Sequence, residues 1–304
     1  MDRTNPYFRQ VELLIRLLPH VAKHEVFALK GGTAINLFVR DLPRLSVDID
    51  LAYLPLDARD KALPAIQSAL GTIARDIQST IPGIEINATN LDETDSLRLT
   101  LRLDGNVVII ELSPVLRGTV WPVETRSVVR AVEDTFGYAE MPVVSFNDLF
   151  AGKICAALDR QHPRDLFDIK SLLANEGISR DLFRTFLVYL ISHRRPMAEL
   201  LSPRRKDIAR IFETEFKDMV LGTVTLDDLL DAREELITAI HAALGSQDRK
   251  FLLSIKSKEP DWSLLGLPDV DKLPAVRWKL HNLERMNAKK HREAFDRLEQ
   301  VLAG

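Results

Sequence analysis

Leu29-Lys30-Gly31-Gly32-Thr33-Ala34-Ile35-Asn36 and, shortly after it, Arg44-Leu45-Ser46-Val47-Asp48-Ile49-Asp50-Leu51 decide how the rest of this chain is read. A short apolar run from Val26 to Leu29 stops at a double glycine, and Thr33 stands where a helix N-cap would precede Ala34, Ile35, Leu37 and Phe38. The pattern predicts strand, tight turn, helix. Glycines let the backbone approach a ligand closely, and a helix N-terminus offers phosphate free N–H groups and a partial positive charge. In the second stretch Val47, Ile49 and Leu51 alternate with Ser46, Asp48 and Asp50, so a strand here turns two carboxylates to one sheet face. Like charges about 7 Å apart repel, and a sheet tolerates them poorly unless solvent or a cation lies between them. A divalent cation accounts for the pair. Taken singly, Gly-Gly is most often a plain turn and Asp-x-Asp a solvated strand face; their coupling is what is uncommon.

The composition sets few further limits. The chain has 304 residues, 46% hydrophobic and 28% charged, which is ordinary for a water-soluble protein with ample core. No apolar run reaches the roughly 20 residues of a membrane span, and Met1 to Pro6 lacks the apolar core of a signal peptide, so the expected location is the cytoplasm. The single cysteine, Cys155, excludes an intramolecular disulfide and disfavours a cysteine-based zinc site. The net charge of −3 hides a gradient, because from Lys272 onward eight Lys/Arg face four acids. A basic end on an acidic body fits two ends with different work.

Working outward, residues 7 to 24 carry a helical apolar stripe with Pro19 as a bend or break, and residues 58 to 80 form an amphipathic helix. Residues 83 to 88 read as a strand. A hairpin follows, Ser96 to Leu103 and Val107 to Leu112 around Asp104-Gly105-Asn106, with Leu97, Leu99, Leu101 and Leu103 inward. Glu111 then shares a face with Thr100 and Arg102, either as a further acid for the site or as the partner of Arg98 or Arg102 across the hairpin. Ser113-Pro114 ends that strand, and Arg117 in the loop beyond is a basic side chain within reach of the site. Residues 123 to 145 read as strand and loop. At 146 the composition turns helical, which divides the chain into a sheet domain, 1–145, and a helical domain, 146–304. Asn147 caps the first helix of the second domain.

That helix carries Lys153 among small and apolar neighbours, with Arg160 two turns on. After Gln161-His162, Pro163 suits a first helical position, and Asp165 and Asp168 share one face of the next helix beside Arg164. Helix, sharp turn, helix brings Lys153 towards Asp168, as a salt bridge or as part of a site. Farther on, the run from His193 to Lys206 and the terminal segment Ala275 to Leu302, with Trp278 among Lys and Arg, are solvated faces or RNA contacts. Leu264 to Pro274 reads as a docking loop.

The wording Lys30-Gly-Gly-Thr-Ala-Ile-Asn36 with Leu45-Ser-Val-Asp-Ile-Asp-Leu51, joined by Asp148-Leu-Phe-Ala-Gly-Lys153 and Arg164-Asp-Leu-Phe-Asp168, resembles the AbiEii/AbiGii, MenT-like, toxin branch of the polymerase-β-type nucleotidyltransferases. The resemblance spans roughly residues 25 to 170 and implies an α/β (α+β) fold: a small mixed sheet flanked by helices, followed by an all-helical C-terminal domain. It implies a Mg²⁺-dependent enzyme that transfers nucleotides from an NTP to the 3′ acceptor end of tRNA, blocking aminoacylation and translation. In that reading Asp48 and Asp50 hold the metal, and Lys30, Gly31, Gly32, Thr33, Ser46 and Lys153 bind the nucleotide. Lys153 neutralises the departing pyrophosphate, Asp168 orients Lys153 or acts as a base, and Glu111, Asp165 and Arg164 are additional candidates. A cognate antitoxin encoded nearby is the implied partner, and phosphorylation at the place of Ser46 silences some members. The alternatives are the same chemistry on a small-molecule or protein hydroxyl, or a catalytically idle regulatory binding partner.

Overall fold

A computed structural model describes residue 5, residues 7–89 and residues 97–303. Ser96, the expected start of the hairpin, and the opening Met1 to Thr4 and Pro6 lie outside the described residues. The chain forms two compact units, one running to Ser145 and including Glu215–Val224, the other comprising Phe146–Thr214 and Thr225 onward.

The first unit runs α1 (Phe8–Ala22), β1 (Phe27–Lys30), α2 (Gly31–Ala34), β2 (Asp48–Tyr53), α3 (Arg59–Thr80), β3 (Glu85–Thr89), β4 (Leu97–Leu103), β5 (Asn106–Arg117), β6 (Glu124–Ser127), α4 (Arg130–Phe136) and β7 (Glu140–Val143). Among the described residues the strands make one mixed sheet, ordered β3-β4-β5-β2-β1-β7-β6. Antiparallel β1 and parallel β5 flank β2, which is therefore central. Alternation decides which side is dry: Ile49, Leu51, Leu99, Leu101, Ile110 and Leu112 are all buried, and α1 and α3 pack on the sheet with their own apolar stripes. The β4–β5 hairpin closes on Asp104-Gly105, both with positive φ (49° and 79°), and Leu103 pairs with Asn106. A two-residue turn with both centres left-handed matches the twist of the strands it joins. Residues 215–224 close on the same unit through Leu45 N–H to the Met219 carbonyl, 2.7 Å, and an isolated bridge between Arg44 and Val220.

The mixed sheet with flanking helices and the helical second half are as the sequence implied, but several local expectations change. Thr33 is not a cap: α2 starts at Gly31 itself, Lys30 holds the extended N-cap position, and a π-helical turn, Ile35–Val39, continues it. Pro19 does not break α1, which runs through to Ala22. Strand β5 does not end at Pro114. The register jumps from Leu51 opposite Leu112 to Tyr53 opposite Arg117, so Pro114 falls in a bulge, where a residue without an N–H costs the ladder nothing. Helix α4 stands where the sequence predicts strand and loop, its short, half-exposed stretch carrying a single buried residue, Val132. Arg117 is not beside the acidic pair; it pairs with Tyr53 at the far end of β2, is buried, and donates to the Asp57 carbonyl at 2.8 Å.

The second unit runs α5 (Phe146–Arg160), α6 (Pro163–Asn175), α7 (Arg180–Ser192), α8 (Met197–Leu201), α9 (Ala209–Ile211), α10 (Leu226–Ala243), α11 (Ser246–Lys256), α12 (Pro274–Glu284) and α13 (Ala288–Ala303). Asn147 lies inside α5 rather than capping it. Helix α5 packs on α7 and α6, and α6 on α10. Thr225 closes a reciprocal capping box with Asp228 at the start of α10, and Arg180 grips Asp248 of α11 with two bonds, 2.8 and 2.7 Å. The Leu264 to Pro274 stretch is not an open docking loop: Leu265, Leu267, Val270 and Leu273 are buried within this unit. The terminal segment breaks into two helices between Glu284 and Ala288, and Trp278 is half-exposed and stacked on His281 with ring centroids 5.9 Å apart.

Ile49 is fully buried at the middle of β2, under the carboxylates but on the opposite face. Ile49→Ala is expected to cost about 2–5 kcal/mol of unfolding free energy, read from urea denaturation, because the rigid neighbours on both sides cannot close the cavity.

Candidate active site

The first unit collects its charged chemistry where β1 hands over to α2. Antiparallel pairing sets Lys30 opposite Asp50 and Leu29 opposite Leu51, so the carboxylate of Asp50 comes up beneath the glycine turn. Gly31 has φ +75°, and a Cβ there would sit 2.2 Å from Asp50 Oδ2. Both facts exclude any other residue. At Gly32 a Cβ would lie 2.8 Å from Arg44 Nη2 and 3.0 Å from Ser46 Oγ. The Thr33 hydroxyl, fully buried, donates to the Asp48 carbonyl and lies 3.0 Å from Ser46 Oγ, which ties the first turn of α2 to the start of β2. The buried Asn36 amide donates to the Gly32 carbonyl at 2.9 Å and braces the turn from behind.

Asp48 and Asp50 are both half-buried on one face of β2. In the parallel register with β5, Glu111 stands opposite Asp50 and so joins the same face. Across the hairpin it also faces Arg98, whose Nη2 donates to its carboxylate at 2.9 Å. Glu111 therefore neighbours Asp50 in the sheet and is the cross-hairpin partner of Arg98. Among the described residues no three His, Cys, Asp or Glu side chains converge as a ready-made metal cage. The donors present are carboxylate oxygens only, which suits a hard cation such as Mg²⁺, an ion commonly held by one or two carboxylates together with substrate phosphates. Arg44, 1% exposed and packed on Gly32, was outside the sequence-derived set. Its place two residues before Ser46 carried the signal, since it extends the period-two row of polar residues.

The other motif residues lie in the second unit and form a network of ion pairs. Lys153 Nζ, on α5, donates to Asp165 Oδ1 at 2.8 Å and lies 3.0 Å from Asp168 Oδ2, both on α6. Arg160 adds two bonds to Asp165, one of them Nη2 to Oδ1 at 2.9 Å. All three of Lys153, Asp165 and Asp168 are buried. Burial alone would raise the Asp165 carboxyl, but Lys153 and Arg160 overcome it and hold it well below the usual carboxylate range. The turn between α5 and α6 makes this possible: Gln161 is left-handed (φ 52°), its buried amide bonds the Arg204 carbonyl and the Lys206 N–H, and Pro163 opens α6 with His162 Nδ1 as the cap. Arg164 is half-buried one position further on. Burial also pushes the Cys155 thiol up, with Asp159 adding to it, so Cys155 is a core residue rather than a nucleophile.

Residues 12–282 match the model of the family described as nucleotidyl transferase AbiEii toxin, type IV toxin–antitoxin system, and the chain belongs to that family. Among solved structures it resembles MenT4, a nucleotidyltransferase toxin from Mycobacterium tuberculosis H37Rv, with a TM-score of 0.62 over 99% of this chain and 95% of that one. At 14% identity that likeness is one of fold. No curated protein matches the sequence.

Two outcomes test this geometry. Gly31→Ala forces the Asp50 side chain away, so its loss of nucleotide transfer is expected to match that of Asp50→Ala, about a hundredfold or more. Asp165→Asn leaves buried Lys153 and Arg160 short of a charge and is expected to cost about 3–5 kcal/mol of stability. Because the folded Asp165 carboxyl is depressed, its contribution is present above the ordinary carboxylate range and is lost only as pH falls below about 4. Urea midpoints from pH 7 down to pH 3 are therefore expected to drop on the acid side in the wild type, with a smaller acid drop in Asp165→Asn.

Proposed function

We propose that this AbiEii-family nucleotidyltransferase moves a nucleotide from an NTP to the 3′ acceptor end of tRNA in a Mg²⁺-dependent reaction, and that the blocked acceptor end is how it stops translation. The observation that carries the reading is the contact of Asp50 with the backbone of Gly31, which sets a carboxylate pair directly under a glycine turn that opens a helix. In nucleotidyl transfer the NTP arrives with several negative charges, and the protein needs one element for its phosphates and another for the cations that offset them.

The roles follow from position. The N–H groups of Gly31, Gly32 and Thr33 begin a helix and have no carbonyl a turn earlier to bond, so they are suited to the β- and γ-phosphate oxygens. Ser46 and Thr33 fix the height of that turn over β2. Lys30, opposite Asp50, adds one positive charge on the same face. Asp48 and Asp50 would hold Mg²⁺, which would supply charge to offset the triphosphate and to lower the pKa of the attacking 3′-hydroxyl. Glu111, held by Arg98, keeps that face acidic without needing to bind the ion. Lys153 and Asp168 belong to the reading through the resemblance of their motifs, and a Lys153→Ala variant that folds and transfers normally would confine them to structure. An antitoxin partner follows from the toxin–antitoxin character of the family. Among the described residues no helix is long and apolar enough to cross a membrane.

The test is direct. Purified protein is incubated with Mg²⁺, each labelled NTP in turn, and total RNA, small hydroxyl-bearing metabolites or protein extract as acceptor. Label is expected in the tRNA fraction, removable by trimming its 3′ end, and absent with Asp48→Ala or Asp50→Ala, each of which removes a like charge and keeps the fold. Label in protein or small molecules instead would replace the acceptor; full transfer by both variants would remove the metal assignment.

A further inference from the structure

The helical unit holds a second cluster of charge that none of the motifs uses. A cavity of about 290 Å³ opens between α8, α11 and α13, with Met197, Ala294 and Leu298 along its apolar wall and Lys256, Lys290 and Arg297 around it. Lys256 is the last residue of α11 and only 7% exposed. Its carbonyl accepts a hydrogen bond from His291 Nε2 at 2.7 Å, which fixes α13 against α11. Its ammonium has no hydrogen-bond or ion-pair partner among the described residues, and neither do the cationic groups of Lys290 and Arg297.

A lysine whose side chain is largely buried, with no counter-ion beside its ammonium, is costly to keep. The surroundings make it worse. Burial lowers Lys256, and Lys258 lowers it further; Lys279, whose ammonium donates to the His193 carbonyl at 2.6 Å, is pushed down to about 8 by burial and then by Lys256 itself. Cations are crowded here. Two carboxylates also line the cavity: Glu199, whose Oε2 is 3.7 Å from Arg195 Nη1, and Glu293, on the exposed side of α13. The lining therefore stays net positive, with its most buried charge unanswered.

We propose that this cavity is a phosphate-binding site, in which Lys256 from one side and Lys290 and Arg297 from α13 take a phosphate group while the apolar wall takes whatever is attached to it. The volume is at the lower end of small-ligand sites, enough for a phosphate with a small body and too small for a folded partner to enter. A free phosphomonoester and a single phosphate of an RNA strand present the same group. The site does not depend on the chemistry proposed for Asp48 and Asp50, so either can fail alone.

Lysine labelling with acetic anhydride, followed by peptide mass spectrometry, reads each lysine separately, Lys256 among them. With full-length protein near pH 8 to 9, Lys256 is expected to react, and inorganic phosphate to protect it saturably at constant ionic strength, while exposed Lys258 reacts alike throughout. A nucleoside monophosphate and a short oligoribonucleotide form two further arms: protection at lower concentration by the oligonucleotide assigns the site to an RNA strand, and by the monophosphate to a free ligand. Lys290→Ala with Arg297→Ala, both on the exposed side of α13, is expected to raise the phosphate concentration needed by about tenfold or more, with the circular dichroism unchanged. A Lys256 that never reacts, or one whose labelling phosphate does not alter, would overturn the proposal and leave Lys256 as a last-turn cation serving the dipole of α11.

Discussion

The contact between the Asp50 carboxylate and the backbone of Gly31 is the constraint to which the rest of the first unit answers. It exists because β1 and β2 pair antiparallel with Lys30 opposite Asp50, and that register is fixed by burial: sliding one residue would turn Ile49 and Leu51 out of the core and both aspartates into it. Once the register is set, position 31 can be only glycine, because Asp50 Oδ2 fills the space of a side chain and the backbone is left-handed. The helix must then begin at the glycines, with the Thr33 hydroxyl bonded down to Asp48 rather than spent on a cap. The N–H groups that open α2 and the carboxylate of Asp50 on β2 are thereby held side by side.

The two motif clusters handle charge in opposite ways. On the sheet face, Asp48, Asp50 and Glu111 gather acid along two neighbouring strands, and Arg98 pairs with Glu111. Around Lys153 basic groups meet acids closely: Lys153 lies between the buried Asp165 and Asp168, Arg160 grips Asp165 from the exposed side, and the Asp165 carboxyl is depressed because its partners are fixed. The Lys153 network joins helices α5 and α6 from within, whereas the acids of the sheet face lie half-buried at its surface. Burial and position, rather than the bare presence of Asp or Lys, separate the two clusters.

The sequence disclosed this arrangement unevenly, for physical reasons. Strand β2 was legible because its period-two alternation is strict from Val47 to Leu51, and the β4–β5 hairpin because Asp104-Gly105 allows few other turns. The closeness of Lys153 to Asp168 could be read from a helix, a proline-opened helix and the spacing between them. What stayed hidden depended on pairing between distant segments. That Glu111 lies opposite Asp50 requires the parallel β2–β5 register, to which neither strand alone testifies. That Pro114 lies in a bulge, and not at a strand end, depends on the same pairing. Thr33 reads as a cap because threonine often is one, yet its hydroxyl found a better acceptor in a strand far along the chain. Arg160 likewise looked like a companion of Lys153 and is a second grip on Asp165.

The acidic face also bears on when a metal would arrive. Mg²⁺ sheds water reluctantly and requires six oxygens in a near-octahedral shell, and two half-buried carboxylates on alternate residues of one strand supply a minority of them. No third His, Cys, Asp or Glu among the described residues closes the shell. On the proposed reading triphosphate oxygens and retained water would supply the rest. Ion and nucleotide would then bind as one unit, each lowering the cost of the other: phosphates without a cation would meet repelling aspartates, and a cation without phosphates would keep most of its water. The rigidity of the glycine turn would matter to both halves. On that reading it would set the distance between the N–H groups that take the phosphates and the oxygens that take the cation, and that distance, rather than the affinity of either part alone, would be what this segment of the fold specifies.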